Sequence, residues 1–117
     1  MISSFEFADN VVGIIINDDV DRKMLGEIHE LLRNKFQQSA AINLYLELKP
    51  GIDIPFPLLV KDLIFQLRHK GKFNKLAIVT NLDLLRNLMK FRDLILDAEV
   101  ETFTHANRIV AMNWIAE

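Results

Sequence analysis

Ala41-Ile42-Asn43-Leu44-Tyr45-Leu46-Glu47-Leu48 alternates without a break. Ile42, Leu44, Leu46 and Leu48 fall on one side, and Asn43, Tyr45 and Glu47 on the other. Successive side chains of a strand point to opposite faces, so this stretch reads as a strand with one apolar and one polar face. Helical patterns precede and follow it. A strand so placed in a doubly wound parallel sheet is normally apolar on both faces. The pattern therefore predicts a sheet with its helices packed mainly on one side.

Working upstream, Ile2–Phe7 and Val11–Ile16 are short runs rich in β-branched and aromatic residues, separated by the turn-type cluster Ala8-Asp9-Asn10. They read as an antiparallel hairpin. After Asn17-Asp18-Asp19, Asp21 suits an N-cap, its carboxylate meeting the free amides of a first helical turn. The helix that follows gathers Met24, Leu25, Ile28, Leu31, Leu32 and Phe36 on one face, with Arg22, Lys23, Glu27, Glu30 and Arg33 opposite. Gly26 within it costs up to about 1 kcal/mol relative to Ala and is read as a point of close packing on the sheet.

Downstream, Lys49-Pro50-Gly51 stops the strand and Ile52–Pro57 is a loop. Pro57 fits the first turn of a helix, where its missing N–H leaves nothing unpaired. Val60, Leu63, Ile64 and Leu67 recur at i, i+3, i+4, i+7 and are read as that helix's core stripe, with Gly71 closing it. Lys75–Thr80 is a strand. Thr80 or Asn81 caps a third helix carrying Leu84, Leu85, Leu88, Phe91 and Ile95. Glu99–Thr104 is a fifth strand, and Thr104 caps a last helix with Val110, Ala111 and Trp114 inward. The order β-β-α-β-α-β-α-β-α describes one α/β domain over residues 1–117. Its mixed sheet of about five strands begins with the hairpin and continues as a right-handed βα superhelix, with all helices on one face if each strand adds beside its predecessor.

Half of the 117 residues are hydrophobic, enough for a core, and 14 basic against 16 acidic residues leave a net charge of -2. That balance gives no basis for binding nucleic acid, which depends on Lys and Arg neutralising phosphates. Without cysteine there is no disulfide framework, thiolate metal site or Cys nucleophile. Met1-Ile2-Ser3-Ser4-Phe5-Glu6 lacks the basic-then-apolar form of a signal peptide, and no apolar run reaches the roughly 20 residues of a membrane span. The expectation is a cytoplasmic protein.

His29, His69 and His105 are the only histidines, none at a metal-ligand spacing, and they read as solvated or capping residues. Asp18, Asn81 and His105 form the candidate polar cluster at the carboxyl ends of the strands, where acid–base chemistry would have to sit. Turn and cap duty explains the same residue types. There is no G-x-G-x-x-G, P-loop or G-x-S-x-G, so neither cofactor nor metal nor a reaction is expected. The apolar run Ile52, Ile54, Phe56, Leu58 and Leu59, with Phe65 beyond it, is the candidate interaction surface, because a patch of several hundred Å² marks a partner or ligand site. Arg68, His69, Lys70, Lys72 and Lys75 close the second helix and complement its dipole; beside an apolar patch they would also suit phospholipid headgroups.

Several segments resemble the SpoIIAA-like family of the STAS superfamily. They are Asp9-Asn10-Val11-Val12-Gly13-Ile14, the strand–loop–helix from Ile42 to Leu67, Phe73-Asn74-Lys75-Leu76-Ala77-Ile78-Val79, and Val100-x-x-Phe103 followed by Ala111-x-x-Trp114-Ile115. The resemblance spans nearly the whole chain and rests on structural apolar positions. It implies a short right-handed superhelix of βα turns, shared in outline with the lipid-binding CRAL-TRIO domains. It also implies a non-enzymatic interaction or regulatory module that self-associates, as a dimer. Anti-anti-sigma members of the superfamily carry a phosphorylatable serine in the loop before the helix that follows the central strand. Here Lys49–Pro57 has no Ser or Thr, so no hydroxyl can take the charge, and the phospho-switch is not carried over. The alternative function is a small carrier or sensor of an apolar, lipid-like ligand, or a module lying on a membrane surface.

Overall fold

A computed structural model describes residues 2–6, 11–83, 85–87 and 98–117. The strands are β1 (Ile2–Phe5), β2 (Val11–Ile16), β3 (Ile42–Leu48), β4 (Phe73–Val79) and β5 (Glu99–Phe103). The helices are α1 (Arg22–Gln38), α2 (Phe56–Arg68) and α3 (Arg108–Ala116), the last entered through a 3-10 turn at His105–Asn107. Asp83 and residues 85–87 are also helical, with Leu85 buried, whereas Leu84, Leu88, Phe91 and Ile95 of the expected third helix lie outside the described residues, as does the turn Ala8-Asp9-Asn10.

The sheet runs in sequence order, β1-β2-β3-β4-β5. β1 pairs antiparallel with β2, and every later pair is parallel. Right-handed crossovers between adjacent parallel strands put their helices on one face. α1 and α2 accordingly cover Val12, Ile14, Ile16, Ile42, Leu44, Leu48, Leu76 and Ile78. α3 does not obey the expectation that every helix shares that face. It joins no further strand, so no crossover rule binds it, and it lies on the other face over Val11, Tyr45, Ala77 and Val79.

The polar face of the alternating strand is therefore covered. Tyr45 fits there because its cross-strand neighbours are small: Gly13 on β2 and Ala77 on β4. Phe5 of β1 lies opposite Gly13 and fills the space a side chain would take, since a Cβ there would come 2.5 Å from the Phe5 ring. Phe5 then meets Tyr45 edge to face at 6.1 Å.

Local signals explain the element ends. Asp21 caps α1 by accepting from the Met24 amide at 2.8 Å. Gly51 and Gly71 end their elements with φ of 87° and 88°, a region only glycine enters without strain. Gly26 is a correction: it is exposed, and a Cβ at its position would meet nothing within 4 Å, so no close packing explains it. In α3, Ala111 and Ile115 point inward with Trp114 half-buried, whereas Val110 is exposed. The 3-10 turn shifts the phase of the helix, and Thr104 makes no side-chain cap bond to it.

Candidate functional site

The loop before α2 is held by its backbone. The Val20 amide donates to the Asp53 carbonyl at 3.1 Å, and the Asp53 amide donates to Asp19 Oδ1 at 2.9 Å. This clamp turns Ile52 into the core. Leu58 and Phe65 join it there, with Ile54 and Leu59 half-buried against them. Of the six residues expected to form an interaction surface, only Phe56 is exposed, at 57%. The expected core stripe takes the opposite place: Val60, Ile64 and Leu67 are 42%, 45% and 40% exposed, with Leu63 half-buried. α2 is apolar on two faces, and periodicity marks both without saying which one meets the sheet.

Contacts with α1 settle that choice. His29 stacks on Phe65 at 3.8 Å with 3° between the rings. Its Nε2 lies 3.0 Å from Asp62 Oδ1, and Asp62 Oδ2 accepts from Gln66 Nε2 at 2.9 Å. Arg33 also lies over this aromatic seam, 5.3 Å from the Phe65 ring. His29 is thus a buried partner in the helix seam, not a solvated histidine, because Asp62 meets its polar edge and Phe65 its ring face. His69 also turns inward, its Nδ1 2.8 Å from the Phe65 carbonyl and its ring 5.2 Å from Phe36. With Phe65 locked inward, Phe56, Val60, Ile64 and Leu67 must point outward. Between these helices and the sheet, Ile28, Leu46, Leu58, Leu59, Asp62 and Leu85 help to line an apolar cleft of about 50 Å³.

On the other face, Glu47 is 1% exposed. Its Oε1 accepts from the Tyr45 hydroxyl at 2.6 Å and from Arg108 Nε at 3.2 Å, and Oε2 is 3.4 Å from His105 Nε2. Burial first, and then the hydrogen bond to Glu47 and its negative charge, push the Tyr45 phenol well above the usual tyrosine range; Arg108 opposes them. The Glu47 carboxylate likewise raises the Arg108 guanidinium above its ordinary value. At the other end of α3, Lys75 Nζ donates to the Trp114 and Glu117 carbonyls at 3.3 and 3.5 Å, and Asn43 Nδ2 donates to Ile115 O at 3.4 Å. A cation there complements the helix dipole. Glu47 and Lys75 thus fasten α3 at both ends.

Of the expected strand-end cluster, the structure joins two members: Asn81 Oδ1 accepts from the His105 amide at 2.9 Å. Asp18 follows β2, with β3 between it and the strand leading to Asn81. Glu47 and Arg108 are the residues that sequence reasoning missed. Glu47 is visible as one of the alternating polar positions, but nothing local pairs it with a residue in the last helix. Among the described residues no group of three or more His, Asp or Glu is placed to hold a metal ion, and no helix is long and apolar enough to cross a membrane.

The sequence matches the SpoIIAA-like family over residues 11–116. No curated protein matches it. Among solved structures it is similar to an uncharacterised protein with a SpoIIAA-like fold from Shewanella loihica, at a TM-score of 0.72 and 15% identity, covering 98% of this chain and 92% of that one.

Proposed function

Because the chain belongs to the SpoIIAA-like family, we propose that it is a non-enzymatic, self-associating interaction module and that the outward face of α2 is the surface it uses. The observation that carries this reading is the run of Phe56, Val60, Ile64 and Leu67 on one solvent-facing side of a single helix. Scattered apolar residues on a surface are ordinary, whereas a contiguous apolar stripe marks a docking site. The polar cluster supports the absence of catalysis, since both Glu47 oxygens are already engaged by Tyr45, Arg108 and His105. The cysteine-free sequence fits a reducing compartment such as the cytoplasm.

A carrier of an apolar ligand is the weaker reading. Ligand chambers typically occupy about 300–1,000 Å³. The cleft between α1, α2 and the sheet holds about 50 Å³.

Sedimentation velocity over a concentration series tests the reading. The wild type is expected to associate and Ile64→Glu to remain monomeric while keeping the wild-type fold by circular dichroism. A wild type that stays monomeric throughout would sink self-association. Undiminished association of the variant would move the contact off α2.

A further inference from the structure

The two ends of α2 carry opposite charge. At its start stand Asp53 and, across the loop clamp, Asp18 and Asp19, all three exposed, with Lys49 four positions before Asp53 and Arg22 three positions after Asp19. At its end stand Arg68 and Lys70, both exposed, and beyond them Lys72, half-exposed, and no acidic residue occurs from Leu63 to Leu82. Asp62 adds nothing to this surface balance because it is turned inward to His29 and Gln66.

The apolar stripe is self-complementary under reversal. Turning α2 about the point between Lys61 and Asp62 carries Phe56 onto Leu67 and Val60 onto Leu63, and it carries Asp53 onto Lys70. We infer that two copies of this chain pair through α2, antiparallel about a two-fold axis, with the acidic end of each helix against the basic end of the other. The inference rests on the reading of α2 as the contact surface and adds the partner's orientation. A parallel pairing would bring Asp53 against its own image and Arg68 against its own. Like charges so juxtaposed oppose association, whereas complementary ends fix register. Two-fold symmetry makes the contact isologous, so every end-to-end charge contact occurs twice.

A helix of 13 residues is about 20 Å long. One face of it falls at the small end of specific interfaces, below about 1,200 Å² in total. The dimer is therefore concentration-dependent and weakened by salt, which screens exposed charges.

Charge reversal tests the orientation. Asp53→Lys and Lys70→Glu are each expected to raise the dimer dissociation constant about tenfold, since each change acts twice on a surface pair worth a few-fold. The double variant Asp53→Lys/Lys70→Glu is expected to recover the wild-type value. Arg68→Glu, at an exposed helix end, supplies a second weakening variant if Asp53→Lys disturbs the loop. If Ile64→Glu breaks the dimer while the single reversals are neutral or the double fails to recover, the antiparallel pairing is wrong and α2 remains the contact. If the wild type is a monomer at every concentration, both readings fall.

Discussion

Tyr45 is the only tyrosine in the chain and donates to a carboxylate that is almost wholly buried. An unfolded tyrosine ionises at about pH 10. The folded phenol keeps its proton beyond that, because burial and the adjacent negative charge both oppose a phenolate. A folded pKa raised above the unfolded one contributes stability below the unfolded value and loses it as pH rises. Tyr45 is therefore expected to favour the fold up to about pH 10 and to lose that contribution above it. Followed by ultraviolet absorbance, phenolate should form together with loss of near-ultraviolet circular dichroism. A simple titration at about pH 10 in a folded chain would show that Tyr45 is not held as described. At this scale the alternation from Ile42 to Leu48 is fully legible, but the burial of its polar side is not. Arg108 lies 61 positions from Glu47, and no local pattern links residues so far apart. His29 is illegible for a similar reason: Asp62, its partner, is 33 positions away.

Elements are legible where one signal dominates. α1 has one apolar face and a capping Asp21, and both are found as read. α2 has two apolar faces, and the pairing of His29 with Asp62 and Phe65 decides between them. α3 is apolar nearly all round, so its inward side depends on the 3-10 turn before it and the anchors at its ends. Those anchors lead to a test. Glu47→Gln keeps the side chain's shape but removes the charge facing Arg108 and His105. Hydrogen bonds to charged groups are worth about 1.5–3 kcal/mol when buried. The partial exposure of Arg108 and His105 puts the expected loss at about 1–2 kcal/mol. The α3 amides should exchange faster with solvent through local opening. Unchanged exchange there would mean that Ala111 and Ile115 hold the helix without the polar cluster.

Across the whole molecule, the sequential strand order leaves one sheet face to the crossover helices and the other to α3. The outward face of α2 lies on the crossover side, away from the polar cluster, so the proposed association can be tested separately from the fastening of α3. Association that stabilises the folded state makes its melting temperature depend on concentration. The wild type is expected to melt a few degrees higher at high protein concentration, and Ile64→Glu at one temperature throughout. A wild-type midpoint that does not move with concentration would count against the dimer.

The order of the chain gives the position of α3 a consequence in time. β2, β3 and β4 each lie beside a strand made just before or just after, so that much of the sheet can assemble as it is synthesised. The covering of Tyr45 and Glu47 cannot. Their counterparts, Arg108, Ala111 and Ile115, follow every strand, and until they emerge a growing chain carries a wet carboxylate on a bare apolar face. Closing that face is the step that cannot begin early, and it makes the last helix the point at which a nascent sheet becomes a two-sided core.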